Sequence, residues 1–477
     1  MKKDKVDIII FFISKVIIGF LSLISMTIYS KILTTSEYGN YSLISGLCNA
    51  LVSIFIGWIG SSALRYYIDY EKEEKEKFFT NIFFYTSLMV LIIILIEIIV
   101  GLFSDKIPIR IYLLQTVYLT LGVSFSEVFE KIFRASEKTL KYAISIVLQS
   151  IFTVVFVVIS LNYFSDGTNA MLFSLSSAKT IFIILALICI GFSFRINKNT
   201  FDKKMFKKFL NYGIPMIGVW GVSWLLNYCD RYIIVQYYSS SEVGIYDMSC
   251  KLAENSLNLI ITSFTLAVYP ILIRRWKEYG KKYVENMIKN IINYYLLLIV
   301  PATIGLIGIS EKLYNGILDP KYLSGRLTII IICIGLSING FTAIINKIWQ
   351  LNEKTKKILY IMIISVIINI LLNFIFIPKY GITMAAITTL FSYFLSFIIT
   401  IILVRKEFTL KIDYISIMKT FVASIIMGLF IAWFNNYVNN NLMLLVEIIM
   451  AMIIYLIITI LLKNIDIKRI KKGEIIW

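Results

Sequence analysis

Residues 36–41 read Ser-Glu-Tyr-Gly-Asn-Tyr, and residues 241–246, which lie 205 positions later, read Ser-Glu-Val-Gly-Ile-Tyr. Each copy follows a long apolar stretch and opens another one. A repeat at this distance in an apolar chain indicates two similar helical bundles in a membrane, an arrangement typical of transporters. Gly39 and Gly244 occupy the same place in the two copies and allow neighbouring helices to approach closely.

Each copy of the repeat also contains a predicted helix start. Thr34-x-x-Glu37 and Ser239-x-x-Glu242 fit the capping box, in which a hydroxyl and a carboxylate satisfy free amides of the first turn. We therefore interpret the motif as a structural one rather than as a contact with cargo.

Composition narrows the class of protein. The chain has 477 residues, is 58% hydrophobic and has a mean hydropathy of +0.81. Its net charge of +18 could suggest nucleic acid, but cytoplasmic loops of membrane proteins are basic for reasons of insertion. Histidine is absent and the five cysteines form no CxxC pair, so we expect no metal site and no cofactor.

Apolar runs of about 20 residues, the length that spans a bilayer, recur along the whole chain. We place fourteen spans at residues 8–30, 40–64, 82–103, 111–130, 142–163, 169–194, 212–237, 244–272, 290–310, 327–346, 358–377, 382–404, 415–435 and 442–462. Of the Lys and Arg residues, 35 lie on the side of the N-terminus, 7 on the opposite side and 5 inside spans or at their edges. The positive-inside rule then predicts that both termini are cytoplasmic.

Several stretches resemble one family over nearly the whole chain. They are residues 31–42, residues 60–65, Asn211-Tyr-Gly-Ile-Pro, Asn227-Tyr-Cys-Asp-Arg, residues 242–247 with Lys251, and residues 377–386, where Met384 replaces a more usual small residue. Their order and spacing resemble the Wzx-type polysaccharide flippases of the multidrug/oligosaccharidyl-lipid/polysaccharide (MOP) exporter superfamily.

The resemblance implies an all-α integral membrane protein with a V-shaped, MATE-like pair of parallel-related six-helix lobes and two further C-terminal helices. The N-terminal lobe would comprise residues 1–200, the C-terminal lobe residues 201–404, and the added helices with a basic cytoplasmic tail residues 405–477. Such proteins move a lipid-linked oligosaccharide across the cytoplasmic membrane, with the sugar in a polar cavity and the prenyl tail in lipid.

Ionisable side chains inside spans are candidates for function, because each costs at least about 2.5–3.5 kcal/mol at mid-bilayer. Leaving out those near span ends, they are Lys15, Glu97, Lys179, Asp230, Arg231, Asp247, Lys251, Glu254 and Glu447. Glu97 and Glu447 lie in almost uniformly aliphatic surroundings, where a neutral carboxyl bonded to a backbone carbonyl is one interpretation.

Span eight carries the densest group. Asp247, Lys251 and Glu254 share one helical face at i, i+4 and i+7, and Asp230 and Arg231 lie at similar depth on span seven. The five could line a cavity for an anionic head group, or form a static ion-pair network between the two spans. Without histidine, proton coupling would use Asp230, Asp247 or Glu254, although sodium or the membrane potential are equally compatible with the sequence.

Three further cations are predicted to bind substrate together with Arg231 and Lys251. In the resembling family, a cation on the helix of Lys15 lies in the central cavity, where it can meet a diphosphate. A lysine stem could instead reach the cytoplasmic surface. Arg65 is either a positive-inside anchor or a gate residue, and Lys179 has the same ambiguity.

We therefore predict a flippase, not an enzyme, that moves a polyprenyl-diphosphate-linked oligosaccharide for O-antigen, capsule or related synthesis in a bacterial cytoplasmic membrane. Alternatives are another MOP exporter, such as a lipid II flippase or a cation-coupled multidrug antiporter, and a membrane glycan polymerase or ligase. The expected partners are the glycan substrate, membrane lipid, and glycan polymerase and glycosyltransferases. We expect a monomer and no nucleic acid.

Overall fold

The computed structural model describes residues 2–71, 74–191 and 202–464, and all the secondary structure in these ranges is helical. The helices are α1 (Lys2–Ile32), α2 (Thr35–Phe55), α3 (Gly57–Glu71), α4 (Lys75–Phe103), α5 (Leu113–Ala135), α6 (Thr139–Ser160), α7 (Gly167–Ile190), α8 (Lys203–Tyr237), α9 (Ser240–Lys312), α10 (Arg326–Leu351), α11 (Thr355–Tyr380), α12 (Ile382–Arg405), α13 (Tyr414–Phe434) and α14 (Asn441–Leu461). The all-α prediction is confirmed. The end of the predicted basic tail, beyond residue 464, lies outside the described residues.

By length and apolarity, ten of the described helices could cross a membrane, or up to twelve if each of two bent pairs counts as one crossing. The bent pairs are α2 with α3, at 49°, and the two halves of α8, at 45°. A multi-pass membrane protein is therefore established. The count of fourteen and the cytoplasmic placement of the termini stay predictions.

The longest helix, α9, contains a break that explains part of the difference in count. Gly280 has a φ of +72° and a ψ of −172°, a conformation that favours glycine because it has no Cβ. The break lies between the stretches that the sequence predicts as spans eight and nine. In the structure both stretches belong to α9, which counts as one candidate membrane span.

The chain divides into two compact units, Met1–Asp247 and Met248–Trp477. The first unit contains α1 to α8 and the opening turns of α9, because α8 packs against α2 and α3. The predicted boundaries at residues 200 and 404 differ from this division and stay predictions, as does the V shape.

Within the first unit, the start of α8 is fixed by polar contacts to α4. The carboxylate of Asp202 caps α8 by accepting from the amides of Lys204 and Met205, and it lies 2.8 Å from the Lys77 ammonium. The hydrogen bond from Lys77 and the helix amides lower the pKa of Asp202. The Tyr85 hydroxyl donates to the Asp202 carbonyl at 2.9 Å. These contacts explain why α8 belongs with the helices before it.

Within the second unit, the hairpin of α13 and α14 packs on the second half of α9. The Tyr455 hydroxyl donates to the carbonyl of Leu297 at 2.7 Å, and the Asn435 amide donates to that of Gly308 at 3.0 Å. The Ile431 side chain lies against Gly308, where a Cβ would come within 2.8 Å of it. The last two long helices are therefore part of a compact unit.

Candidate functional site

The two repeat motifs contact each other. A Cβ built on Gly39 would lie 1.8 Å from the carbonyl oxygen of Ser240, and one built on Gly244 would lie 2.0 Å from that of Thr35. In the repeat, Thr35 is equivalent to Ser240, and Gly39 is equivalent to Gly244. The contact is therefore reciprocal, as a local two-fold axis requires. The start of α2 therefore crosses the start of α9 at backbone distance.

Hydrogen bonds support the ends of this crossing. The hydroxyls of Thr35 and Ser241 are 2.6 Å apart. At the start of α2, Thr34 and Glu37 form the predicted capping box, and the second oxygen of Glu37 accepts the amide of Gly167 at 2.7 Å. The helix α9 begins directly after Ser239, as the second motif predicts.

A buried ion pair connects α8 to the opening turns of α9. The Arg231 guanidinium donates through Nε to Oδ1 of Asp247 at 2.7 Å, and its Nη2 is 2.6 Å from the same oxygen. Both side chains are nearly inaccessible, at 2% and 4% exposure. The guanidinium carbon also lies 4.8 Å from the ring centre of Tyr228. This geometry favours the structural role of Arg231 over direct binding of an anion in this conformation.

Asp230 lies beside this pair and has partners of its own. The Tyr246 hydroxyl donates to Oδ2 of Asp230 at 2.6 Å, and the Cys229 thiol lies 3.4 Å from Oδ1. Tyr246 is the last residue of the second repeat motif, so the motif contributes directly to the polar cluster. Sequence reasoning missed this role of Tyr246.

Lys251 and Glu254 form an ion pair within the second unit. The ammonium is 2.8 Å from Oε2 of Glu254, and the side chains are 30% and 25% exposed. The predicted face of α9 thus carries two kinds of pair, a buried one at Asp247 and a half-exposed one at Lys251. Lys251 can exchange Glu254 for a ligand without leaving a buried unpaired charge, whereas separating Arg231 from Asp247 would leave one.

Arg65 belongs to a cluster of cations and tyrosines on α3 and α8. Its guanidinium carbon lies 5.0 Å from the ring centre of Tyr212 and 5.8 Å from that of Tyr66. The Lys208 ammonium lies 4.1 Å from the ring centre of Tyr66 and 3.3 Å from the carboxylate of Asp69. The cluster was not predicted, although its residues flank two adjacent span ends.

Lys15 and Lys179 occupy other parts of the first unit. Lys15 is exposed on α1. Lys179 on α7 is half-buried and donates to the Ser126 hydroxyl of α5 at 3.3 Å, with Glu127 and Glu130 of α5 in electrostatic range. Lys15 is therefore the more accessible of the two candidates for binding an anion.

The two carboxylates in apolar spans are both fully buried. Glu97 accepts from the Thr120 hydroxyl at 2.6 Å and from the Cys48 thiol at 3.3 Å, so the partners of this carboxyl are side-chain donors. In the part of the chain that the structure describes, neither oxygen of Glu447 has a hydrogen-bond partner. A buried carboxyl without partners is far less costly when it is neutral.

A second buried polar group, on α11 and α12, contains no charge. The Asn373 amide donates to Oδ1 of Asn369 at 3.2 Å, and Thr388 donates to Oδ1 of Asn373. Asn369 in turn donates to the Thr389 hydroxyl at 3.4 Å. We did not single these residues out from the sequence, because uncharged polar side chains give a weaker signal than charges do. Among the described residues, no group of three or more Cys, Asp and Glu side chains is placed to hold a metal ion.

Comparison with known proteins connects this fold to glycan biosynthesis. The family described as "Polysaccharide biosynthesis protein" matches residues 6–276, more than half of the chain. The "Probable low-salt glycan biosynthesis flippase Agl15" of Haloferax volcanii is 23% identical over 61% of this chain and 61% of that protein. The "Probable lipid II flippase MurJ" of Rickettsia prowazekii is 25% identical over 57% of this chain and 54% of that protein. The chain thus spans less than two thirds of the length of these relatives.

The fold also matches a solved structure over almost the whole length of both chains. "Lipid II flippase MurJ, inward closed conformation" superimposes with a TM-score of 0.76 at 18% identity, over 96% of this chain and 99% of the other. At this identity the likeness shows the fold alone.

Proposed function

The chain belongs to the polysaccharide biosynthesis protein family, and from that premise we propose that it moves a polyprenyl-diphosphate-linked oligosaccharide from the inner to the outer leaflet of the bacterial plasma membrane. The family match over residues 6–276, together with a relative named as a glycan biosynthesis flippase, carries this proposal. The cargo would serve surface polysaccharide synthesis, and glycosyltransferases and a glycan polymerase would act before and after the transport step.

The accessible cations are suited to the diphosphate of such a cargo. Lys15 and Arg65 are exposed, and Lys251 is paired with the partly exposed carboxylate of Glu254. A lysine ammonium binds phosphate as a point charge, whereas an arginine guanidinium can bind it through two parallel hydrogen bonds. Within the first unit we assign first contact with the diphosphate to Lys15 and Arg65, and a secondary role to Lys179. Lys251 is a separate candidate in the second unit.

The buried pair of Arg231 and Asp247 would keep α8 and α9 together during transport. Separating the two charges in an apolar interior costs several kcal/mol, so the pair is suited to hold the two helices as one moving element. Of the carboxylates considered for proton coupling, Asp247 is buried in its ion pair, whereas Glu254 is more accessible.

The crossing of the repeat motifs supplies a closing point for alternating access. The predicted topology places residues 31–39 and 238–244 on the outer side, so the contact of Gly39 with Gly244 would close that side in the observed conformation. Export would require this crossing to open. Its contacts are mostly backbone surfaces and one pair of hydroxyls, which can separate without exposing a buried charge.

Deleting the gene tests the proposal in the source cell. We expect loss of surface glycan and accumulation of the prenyl-linked oligosaccharide at the inner leaflet, both reversed by the wild-type gene. A lipid II flippase is the second candidate because of the Rickettsia relative. Mass spectrometry of the accumulated lipid separates the two cargoes. Unchanged surface glycan with increased sensitivity to cationic drugs would contradict both.

A further inference from the structure

The second unit contains an apolar cavity that the proposed function does not use. Its volume is about 440 Å³, and it is lined by residues of α9, α10, α12 and α13. Ten of the twelve lining residues are Leu, Ile, Val or Phe, and no lining residue is charged. A cavity of roughly 150 Å³ with such walls is large enough to bind benzene in a soluble protein. This cavity is therefore much larger than the voids that protein interiors leave empty.

The two polar side chains on the wall are hydrogen-bonded to the protein itself. The hydroxyls of Thr303 and Ser337 are 2.6 Å apart. Thr303 also donates to the carbonyl of Ile299 at 2.7 Å, and Ser337 to that of Cys333 at 2.8 Å. Both hydroxyls are hydrogen-bonded within the protein and the rest of the wall is apolar, so the cavity favours an apolar occupant.

The length of the cavity and its opening indicate the kind of occupant. It is bounded on α9 by residues 296–307, a rise of about 16 Å for a helix of this length. That is roughly half of a hydrocarbon core about 30 Å thick, the depth of one leaflet. Ile334 and Phe421 line the cavity and are 39% and 45% exposed, so it opens on an apolar surface of the unit.

From this geometry we propose that the cavity binds one acyl chain of a bilayer lipid, which enters beside α13 while its head group stays at the membrane surface. Bilayer lipid surrounds the opening at far higher concentration than any other hydrocarbon, so mass action favours an acyl chain. The bound chain completes the packing of α13 against α9, α10 and α12. This site is independent of the cations assigned to the cargo.

Photolabelling tests the proposal with the full chain in vesicles. Phosphatidylcholine with a small fraction carrying a mid-chain diazirine is irradiated, and the labelled peptides are mapped by mass spectrometry. We expect label to concentrate on the lining residues of α9, α10 and α13, above the level on exposed residues such as Leu298, which is 46% exposed and does not line the cavity.

Variants that fill the cavity sharpen the test. Ile338→Trp and Ile307→Trp should lose most of the cavity label, whereas Leu298→Trp on the same helix as Ile307 should keep it. An excess of unlabelled polyprenyl phosphate should leave the label in place. The labelling pattern of the wild-type protein is a test that does not depend on whether the variants fold. Label spread evenly over exposed residues of the wild-type protein would overturn the proposal. Persistence of the label in both filled variants, or its displacement by the polyprenyl phosphate, would also overturn it.

Discussion

Gly39 and Gly244 bring the backbones of two helix starts into contact. Gly39 lies against Ser240, and Gly244 lies against Thr35. The two glycines lie 205 positions apart, the distance between the repeat motifs. The repeat therefore reflects more than shared ancestry of two halves. It creates a reciprocal contact in which neither glycine can be replaced without moving a backbone.

We expect Gly39→Ala and Gly244→Ala each to separate the two helix starts, because the new Cβ would overlap a carbonyl oxygen. Overpacking of this kind costs about 1–3 kcal/mol. The double variant should cost less than the sum of the two, since one displacement relieves both overlaps. Thermal unfolding of the purified proteins measures this.

A matched glycine serves as the control for that series. Gly221 is helical on α8 and has nothing within 4 Å of a built Cβ, so Gly221→Ala should be neutral or stabilising by up to about 1 kcal/mol. Additive losses in the double variant, or equal losses at Gly221, would argue against a shared crossing.

Removing one charge of the buried pair should harm the protein more than removing both. Asp247→Leu leaves a guanidinium buried without its carboxylate, which costs about 3–5 kcal/mol. In the double variant with Arg231→Leu we expect recovery of a large part of that loss. Lys251→Leu and Glu254→Leu provide the comparison, since partly exposed pairs contribute about 0–1 kcal/mol. Equal losses from Asp247→Leu and the double variant would show that the charge itself is not the cause.

Lys15 should be required for transport and not for folding. Lys15→Ala removes an exposed cation from α1, so we expect loss of surface glycan with a normal amount of protein in the membrane. Lys15→Arg should restore most of the glycan because it restores the charge. Lys419→Ala removes a lysine from α13 and should leave glycan unchanged. Glycan at the wild-type level in Lys15→Ala would remove this residue from the site.

The stability contributed by the contact between the start of α11 and the segment after α12 should depend on pH. Lys357 and Lys354 lower the pKa of Glu407, and the Lys354 ammonium is 2.9 Å from its carboxylate. A carboxyl whose pKa is depressed by folding contributes stability above its unfolded pKa, and that stability is lost as the pH falls through the folded pKa. The contribution should be about 1 kcal/mol or less, because the pair is near the surface.

Glu407→Gln should therefore destabilise the protein at pH 7 and make progressively less difference below about pH 4.3, the ordinary pKa of glutamate. Glu353→Gln, at an exposed position near Lys354, is the control. Melting curves across this pH range decide the matter. A difference between Glu407→Gln and wild type that stays constant down to acid pH would assign the effect to packing.

The helices were predictable because apolar length and capping motifs are local signals. The repeat predicted two related bundles, and the capping box at Thr34 and Glu37 is present as the spacing required. The reciprocal contact of the two motifs was not predictable, because a repeat period does not say which copies meet in space. The sequence predicted an interruption between residues 272 and 290, but not that helix would continue up to a break at the single residue Gly280, since the surrounding charges indicated a loop.

The partners of the charged residues were only partly predictable. The spacing placed Asp247, Lys251 and Glu254 on one helical face, but helical periodicity cannot choose a partner on a neighbouring helix. The structure pairs Lys251 with Glu254 on the same helix and Asp247 with Arg231 on the neighbouring helix. The apolar cavity left no trace in the sequence, because it arises where four helices fail to fill the space between them.

Translocation in vesicles tests the central claim most directly. The purified protein is reconstituted with a fluorescent polyprenyl-diphosphate-linked oligosaccharide, and a membrane-impermeant glycosidase or quencher reports how much of it reaches the opposite leaflet. We predict transfer that depends on the protein and falls to the background rate in Lys15→Ala. Absence of transfer for every prenyl-linked saccharide, together with rapid export of small cationic dyes from the same vesicles, would contradict the assignment as a glycan-lipid flippase.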